Sequence, residues 1–210
     1  LVCKKHVKSP RVNAVVVNSG NANACTGKLG INNAIKMCSK TAEQIEEDPH
    51  SVLVASTGII GEQLPISKIT SGISKAATKL SASPKSGLDF AKAIMTTDTK
   101  PKQAVRRLKI SGTEITIAGT TKGAGMIGPN MATTLCFITT DVNISKSLLS
   151  RALKAAIGNS LNKLTVDGHQ STNDTAIILA SGLAPNRPIA SQCPRYKQFA
   201  KALSEVCDDL

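Results

Sequence analysis

Apolar and polar positions follow two rhythms along the chain, one of strand length and one of helical period. The run Val12-Asn13-Ala14-Val15-Val16-Val17 is valine-rich and reads as a buried strand. Residues 18–27 (NSGNANACTG) are small or amide side chains, the composition of a tight loop. Apolar residues at 31, 34, 35, 38, 42 and 45 predict an amphipathic helix over 31–47, ended by Asp48-Pro49. A second short strand, SVLVAS at 51–56, leads into Thr57-Gly58-Ile59-Ile60-Gly61. Two further helices are expected over 66–80 and 87–95, separated by a Ser/Pro-rich break. Leu108-Lys109-Ile110 and the run 114–118 flank Ser111-Gly112-Thr113 as a hairpin. The apolar run Leu135-Cys136-Phe137-Ile138 has buried-strand length. Beyond it, Asn143 or Ser145 can cap a helix to about residue 159, with apolar positions 148, 149, 152, 153, 156 and 157. A last amphipathic helix begins at Tyr196. This alternation is compatible with an α/β fold.

Composition narrows the function classes. At 210 residues the chain can form one large domain or two small ones with a real core. Hydrophobic content is 41% and no apolar run approaches a membrane span, so a soluble chain with no membrane partner is expected. The first residues, Leu-Val-Cys-Lys-Lys-His, are neither a signal peptide nor a start methionine, which suggests an excerpt of a longer protein. The net charge of +12 raises nucleic acid as a partner. The basic residues are scattered, however, and four aromatics (Phe90, Phe137, Tyr196, Phe199) are too few for a base-stacking platform. A solvated basic surface, with no nucleic-acid partner, is the expectation. None of the six cysteines forms CxxC or has histidine at ligand spacing, so reduced thiols in an intracellular compartment are expected. Cys136 sits inside an apolar run and reads as a buried structural thiol.

The densest chemistry lies at 122–141, KGAGMIGPNMATTLCFITTD. Gly123, Gly125, Gly128 and Pro129 can present an unusual backbone conformation just before Ala132 and Thr133. A threonine hydroxyl is a poor nucleophile until a base takes its proton. As the first residue of a chain, threonine carries that base as its own amine. An α-amino group titrates near ~7.7–8.0, so a useful fraction is neutral at cellular pH. Thr133 is internal, so this chemistry first requires cleavage of Ala132–Thr133. The hydroxyl could attack the preceding carbonyl, giving an ester that water opens. A strand ending in Thr57-Gly58 can aim a hydroxyl and an N–H at one point, as an oxyanion hole requires. Asp167, His169 and Asp174 superficially suggest a metal site, but they lack helical ligand spacing and no metal is expected. Lys122 precedes glycine without the GK[ST] order, which excludes a nucleotide P-loop. Taken singly, each segment is equally an ordinary turn or cap.

Together they are more specific. The pattern Lys-Gly-x-Gly-Met-Ile-x-Pro-Asn-Met-Ala-Thr is complete at 122–133, accompanied by NSGNANACTG, STGIIGEQLP at 56–65 and MTTDTKPK at 95–102. These segments resemble the ornithine acetyltransferase family, bifunctional enzymes of arginine biosynthesis. A similar VDGxxSTNDT segment occupies 166–175, with His169-Gln170 departing from the usual acidic or small residues, and reads as structural support around the nucleophile. The resemblance implies an αββα-type sandwich of the self-cleaving ornithine acetyltransferase/aminopeptidase superfamily. It implies Thr133 as nucleophile, the Thr57 side chain and Gly58 N–H as the oxyanion hole, and Lys122 and Thr99 as substrate contacts, with Thr97 the alternative to Thr99. Cleavage at Ala132–Thr133 would make 1–132 the C-terminal part of an α chain and 133–210 the N-terminal part of a β chain, both contributing to one site. The family's N-terminal segment, a downstream acidic substrate-binding residue and the C-terminal residues closing the pocket lie outside these 210 residues.

The implied reaction moves acetyl from N-acetylornithine to glutamate through an acetyl-threonine intermediate, with ping-pong kinetics. No cofactor is implied; acetyl-CoA is left open as a further donor, as a co-substrate. An α2β2 heterotetramer in the bacterial cytoplasm is the expectation, with mitochondrial matrix or plastid the alternatives. Two other readings compete with acetyl transfer. A self-cleaving amidohydrolase or aminopeptidase of the same architecture would release product to water. A non-catalytic basic binding domain would remain one chain.

Overall fold

The computed structural model describes residues 1–128, 134–169 and 171–210. They divide into two compact units, Leu1–Thr96 and Thr97–Leu210.

The first unit contains α1 (Val2–His6), β1 (Ala14–Asn21), α2 (Gly27–Ile45), β2 (Val52–Ile59), α3 (Ile66–Ala77) and α4 (Pro84–Ala93). β1 and β2 pair in parallel from Ala14↔Val52 to Asn21↔Ile59. Parallel neighbours need a crossover, and α2 supplies it. The buried stripe of α2 is Gly30, Asn33, Ala34, Met37, Cys38 and Ala42. It is rotated from the expected face: Ile31 and Ile35 stay 38% and 46% exposed. The helix starts at Gly27, four residues before the expected 31, and Gly30 packs against Thr26 and Asn23, where a Cβ would lie 1.9 Å from Thr26 Oγ1. The short α1, unanticipated from sequence, docks on β2 through polar contacts. Cys3 Sγ donates to Val54 O (3.0 Å) and His6 Nδ1–H to Val52 O (2.8 Å). Burial pushes the Cys38 thiol up to about 12, an inert core sulfur.

The second unit carries β3 (Lys102–Ile110), β4 (Thr113–Lys122), β5 (Leu135–Thr140), α5 (Lys146–Asn159), β6 (Thr175–Ala180) and α6 (Pro194–Asp209). They form one sheet in the order β3-β4-β5-β6, antiparallel except for the parallel β5–β6 pair. The expected hairpin turns at Ser111 (φ 50°) and Gly112 (φ 86°), both left-handed, which matches the twist of the flanking strands. α5 is the crossover from β5 to β6, and α6 packs beside it over β3 and β4. The core beneath holds Ile115, Ile117, Ile138, Phe199, Leu203 and Val206, each at most 1% exposed. Burying a side chain of this size contributes roughly 1.5–3 kcal/mol. Cys136 is buried in this core, and desolvation raises its thiol pKa. All six cysteines are free thiols.

Two expectations need correction. The loop foreseen at Asn18 begins four residues later, because β1 continues through Asn18-Ser19-Gly20-Asn21. Likewise β2 runs through Thr57-Gly58-Ile59. Small polar residues and glycine read locally as turns, but pairing with a neighbouring strand overrides that preference. β6 was not foreseen at all. Among the described residues no helix is long and apolar enough to cross a membrane.

Candidate functional site

In the first unit, chemistry gathers where the parallel pair ends. Thr57 is 4% exposed and Gly58 is exposed, with φ at +131°. Gly58 faces Gly20 across the ladder, and a Cβ built on it would lie 2.2 Å from the Gly20 carbonyl carbon. Only glycine fits there. The following loop is tied back by Ala22 N–H to Ile59 O (2.9 Å) and Gly61 N–H to Ala24 O (3.0 Å). Within it, Thr26 Oγ1 donates to Asn23 Oδ1 (2.6 Å), and Asn23 Nδ2 donates to Gly30 O (2.8 Å). Thr57 and Gly58 thus sit on a stiff, closely packed strand end. Donors fixed in advance need no reorganisation when charge develops, the property an oxyanion hole uses.

In the second unit the end of β4 meets the start of β5 and β6. Lys122 pairs in register with Leu135, and Leu135 with Thr175. Lys122 is 1% exposed, the largest fully buried side chain described. Burial lowers its pKa from the ordinary lysine value; the charges of Asp98 and Asp174 oppose that, and Lys102 adds to it. A buried cation at a strand end is suited to pair with an incoming carboxylate.

Three aspartates hold the backbone around this point. Asp98, its side chain wholly buried, accepts Gly123 N–H (2.8 Å) and the Lys102 ammonium. Lys102 Nζ also donates to Gly123 O (3.0 Å). Asp167 accepts Met126 N–H (2.7 Å) through one oxygen and Ile127 N–H (3.0 Å) through the other. Ile127 O in turn accepts from the amides of Val166, Asp167 and Gly168. Asp174 accepts Thr134 N–H (2.8 Å), and Thr134 O accepts Thr175 N–H (3.0 Å). Hydrogen bonds from the Met126 amide, then those of His169 and Ile127, hold the Asp167 carboxyl below its usual range.

Thr57 and Gly58 belong to the first unit, Lys122 and Thr99 to the second. Thr97 and Thr99 are both exposed and flank the buried Asp98 carboxylate. Ala132 and Thr133 lie outside the described residues, as do Pro129, Asn130, Met131 and Gln170. Asp167 and Asp174, weighed from sequence as metal ligands, spend oxygens on backbone amides instead; His169 N–H itself donates to Asp167 Oδ1 (3.2 Å). Among the described residues no group of three His, Cys, Asp or Glu side chains could hold a metal ion. Sequence reasoning missed Asp98. The signal was present: a short carboxylate between threonines is the residue type that captures nearby amides.

A family model described as the ArgJ family matches residues 1–210. The chain belongs to the ArgJ family. It is 50% identical over 195 residues to the arginine biosynthesis bifunctional protein ArgJ of Thermotoga neapolitana, covering 93% of this chain and 48% of that protein. Its counterpart from Symbiobacterium thermophilum is 47% identical over 206 residues, 98% of this chain and 51% of the relative. The chain therefore spans about half the length of the curated relatives it matches. Among solved structures, the arginine biosynthesis bifunctional protein ArgJ of Bacillus halodurans is 41% identical with a TM-score of 0.58, covering 62% of this chain and 68% of that one. The ornithine acetyltransferase of Mycobacterium tuberculosis, complexed with ornithine, is 29% identical with a TM-score of 0.53, over 62% and 69%. The ArgJ likeness agrees with the α/β sandwich expected from the sequence.

Proposed function

We propose that the full-length protein is a self-cleaving acetyltransferase of arginine biosynthesis that moves acetyl from N-acetylornithine to glutamate. The observation that carries this reading is the ArgJ-family match along the whole chain, with the 122–133 pattern complete. The solved ornithine acetyltransferase binds ornithine, which supports the donor assignment. In this scheme the Thr133 hydroxyl attacks the Ala132 carbonyl, and water opens the resulting ester to free the Thr133 amine. That amine takes the hydroxyl proton as Oγ attacks the acetyl carbonyl of N-acetylornithine. Thr57 and Gly58 carry the oxyanion role. The ammonium returns its proton to the departing ornithine amine, and the amine of glutamate then attacks the ester, restoring the hydroxyl. Lys122 pairs with the substrate carboxylate, and Thr99 is the second substrate contact.

The proposed cut falls inside the second unit, between β4 and β5. Their ladder, from Ile117↔Thr140 to Lys122↔Leu135, joins residues on either side of it. Such pairing supports α and β chains that stay together after cleavage, and we assign the assembly as α2β2 in the cytoplasm. The relatives are bifunctional proteins of arginine biosynthesis, and acetyl-CoA as a further donor to glutamate is the second activity we assign. No other cofactor enters the scheme.

The test is the intact mass of the full-length protein as wild type and as Thr133→Ala. Wild type should separate into two chains at Ala132–Thr133 while the variant stays whole and transfers no acetyl. A folded wild type that remains one chain would remove the proposed base and overturn the reading.

A further inference from the structure

The segment 166–175 has no chemical role in the scheme above, although its two aspartates reach the most constrained backbone of the second unit. Asp174 lies immediately before β6, whose first residue, Thr175, is in register with Leu135, which is in register with Lys122. Its Oδ1 accepts Thr134 N–H at 2.8 Å, the amide on the C-terminal side of the proposed nucleophile. The return bond, Thr175 N–H to Thr134 O at 3.0 Å, closes the same two chain segments from the other side. Thr121 Oγ1 donates to Leu135 O at 3.0 Å, fixing the next residue of β5 to β4. The start of β5 is thus held on both flanks.

We propose that Asp174 is a positioning residue for the chemistry at Thr133 and Lys122, holding the Thr134 amide with one oxygen at the point where β5 and β6 begin in register with Lys122. The inference rests on the acetyltransferase reading and deepens it. Lys122 is removed from water, which disfavours its charged form, and Asp174 is one of two carboxylates whose field opposes that. The other, Asp98, is shared with Lys102 and Gly123 N–H. Asp174 therefore acts on two parts of the proposed chemistry, the backbone amide next to Thr133 and the lysine for the substrate carboxylate. It does neither by touching substrate.

The two roles separate by substitution in the full-length protein. Asp174→Ala removes acceptor and charge together; Asp174→Asn keeps an acceptor oxygen and removes only the charge. Displacing a nucleophile by a fraction of an ångström to an ångström costs up to about a hundredfold, so Asp174→Ala should slow self-cleavage and acetyl transfer by at least about tenfold. Asp174→Asn should restore part of the cleavage rate. It should also move the alkaline limb of kcat/KM for N-acetylornithine to lower pH, because Lys122 then loses its proton sooner. A merely structural aspartate would change stability in both variants and leave that limb in place. If wild type cleaves and transfers acetyl while Asp174→Asn keeps the wild-type limb, the inference is overturned and the enzyme assignment stands. An uncut, inactive wild type would overturn both.

Discussion

The end of the β1–β2 pair and the region around Lys122 both carry segments assigned chemistry, and they are held by opposite means. At Gly20 and Gly58 two backbones approach so closely that no side chain fits between them. Around Lys122 charged groups hold the backbone, with Asp98, Asp167 and Asp174 each taking main-chain amides. The strands differ in sense as well. Thr57 lies toward the C-terminal end of a parallel strand, the usual place for a site in an α/β sheet. Lys122 faces the N-terminal ends of β5 and β6, which are parallel to each other. The proposed scheme accounts for that inversion, since a nucleophile that becomes the first residue of a chain has to precede its strand. Close packing gives a fixed geometry indifferent to pH; carboxylate anchoring gives one that acid can loosen.

The comparison breaks most severely at Gly58. An alanine there must move a Cβ that would sit 2.2 Å from the Gly20 carbonyl carbon, at a φ of +131° that alanine avoids. We expect Gly58→Ala to cost about 4 kcal/mol of stability, among the largest effects of a single substitution. Chemical denaturation of the full-length protein measures this. A loss below about 0.5 kcal/mol, the range of inconsequential surface changes, would mean that the close approach does not govern the first unit.

Asp98→Ala is the matching test in the second unit and should be somewhat milder. It leaves Gly123 N–H without its acceptor and removes the carboxylate from the Lys102 ammonium, which still donates to Gly123 O. Lys102 is 31% exposed and can regain water, which limits the cost to about 2–4 kcal/mol. Gly123 N–H has no such recourse if its surroundings stay closed, so Asp98→Asn should recover part of the loss. Equal destabilisation by Ala and Asn would show that charge, not amide capture, is what Asp98 contributes.

These contrasts also explain what could be read from the sequence. The strands at 14–17 and 135–138, the helix ending near 159 and the hairpin at Ser111-Gly112 were legible because local periodicity and turn chemistry agree with the final pairing. The extension of β1 and β2 was not, because glycine opposite glycine is a tertiary requirement and looks like a turn in one dimension. β6 is a six-residue strand that directly follows a polar run, and no turn or cap signal separates the two in the sequence. The motif at 122–133 pointed to Thr133, whose position lies outside the described residues. Which amides Asp98, Asp167 and Asp174 capture was not legible, because they lie 25 to 41 residues away and amides carry no sequence signature.

The subtlest difference between the two regions is in their response to acid. Asp167 is held below the usual carboxylate range, first by the Met126 amide and then by those of His169 and Ile127. A carboxylate whose pKa is depressed by folding contributes stability that is fully present above its unfolded value and lost as pH falls through the folded one. The protection of the Met126 and Ile127 amides against hydrogen exchange, corrected for intrinsic rates, should therefore decline once pH drops below the ordinary aspartate range. The Ala22 and Gly61 amides donate to the neutral carbonyls of Ile59 and Ala24 and should keep theirs over the same interval. Asp167→Asn should flatten the response at Met126 and Ile127, since an amide oxygen does not titrate. If all four amides lose protection together, the whole fold is opening and the carboxylate has no local role. If Met126 and Ile127 loosen alone, the segment leading to Ala132–Thr133 is secured by a charge that the tip of β2 does not need.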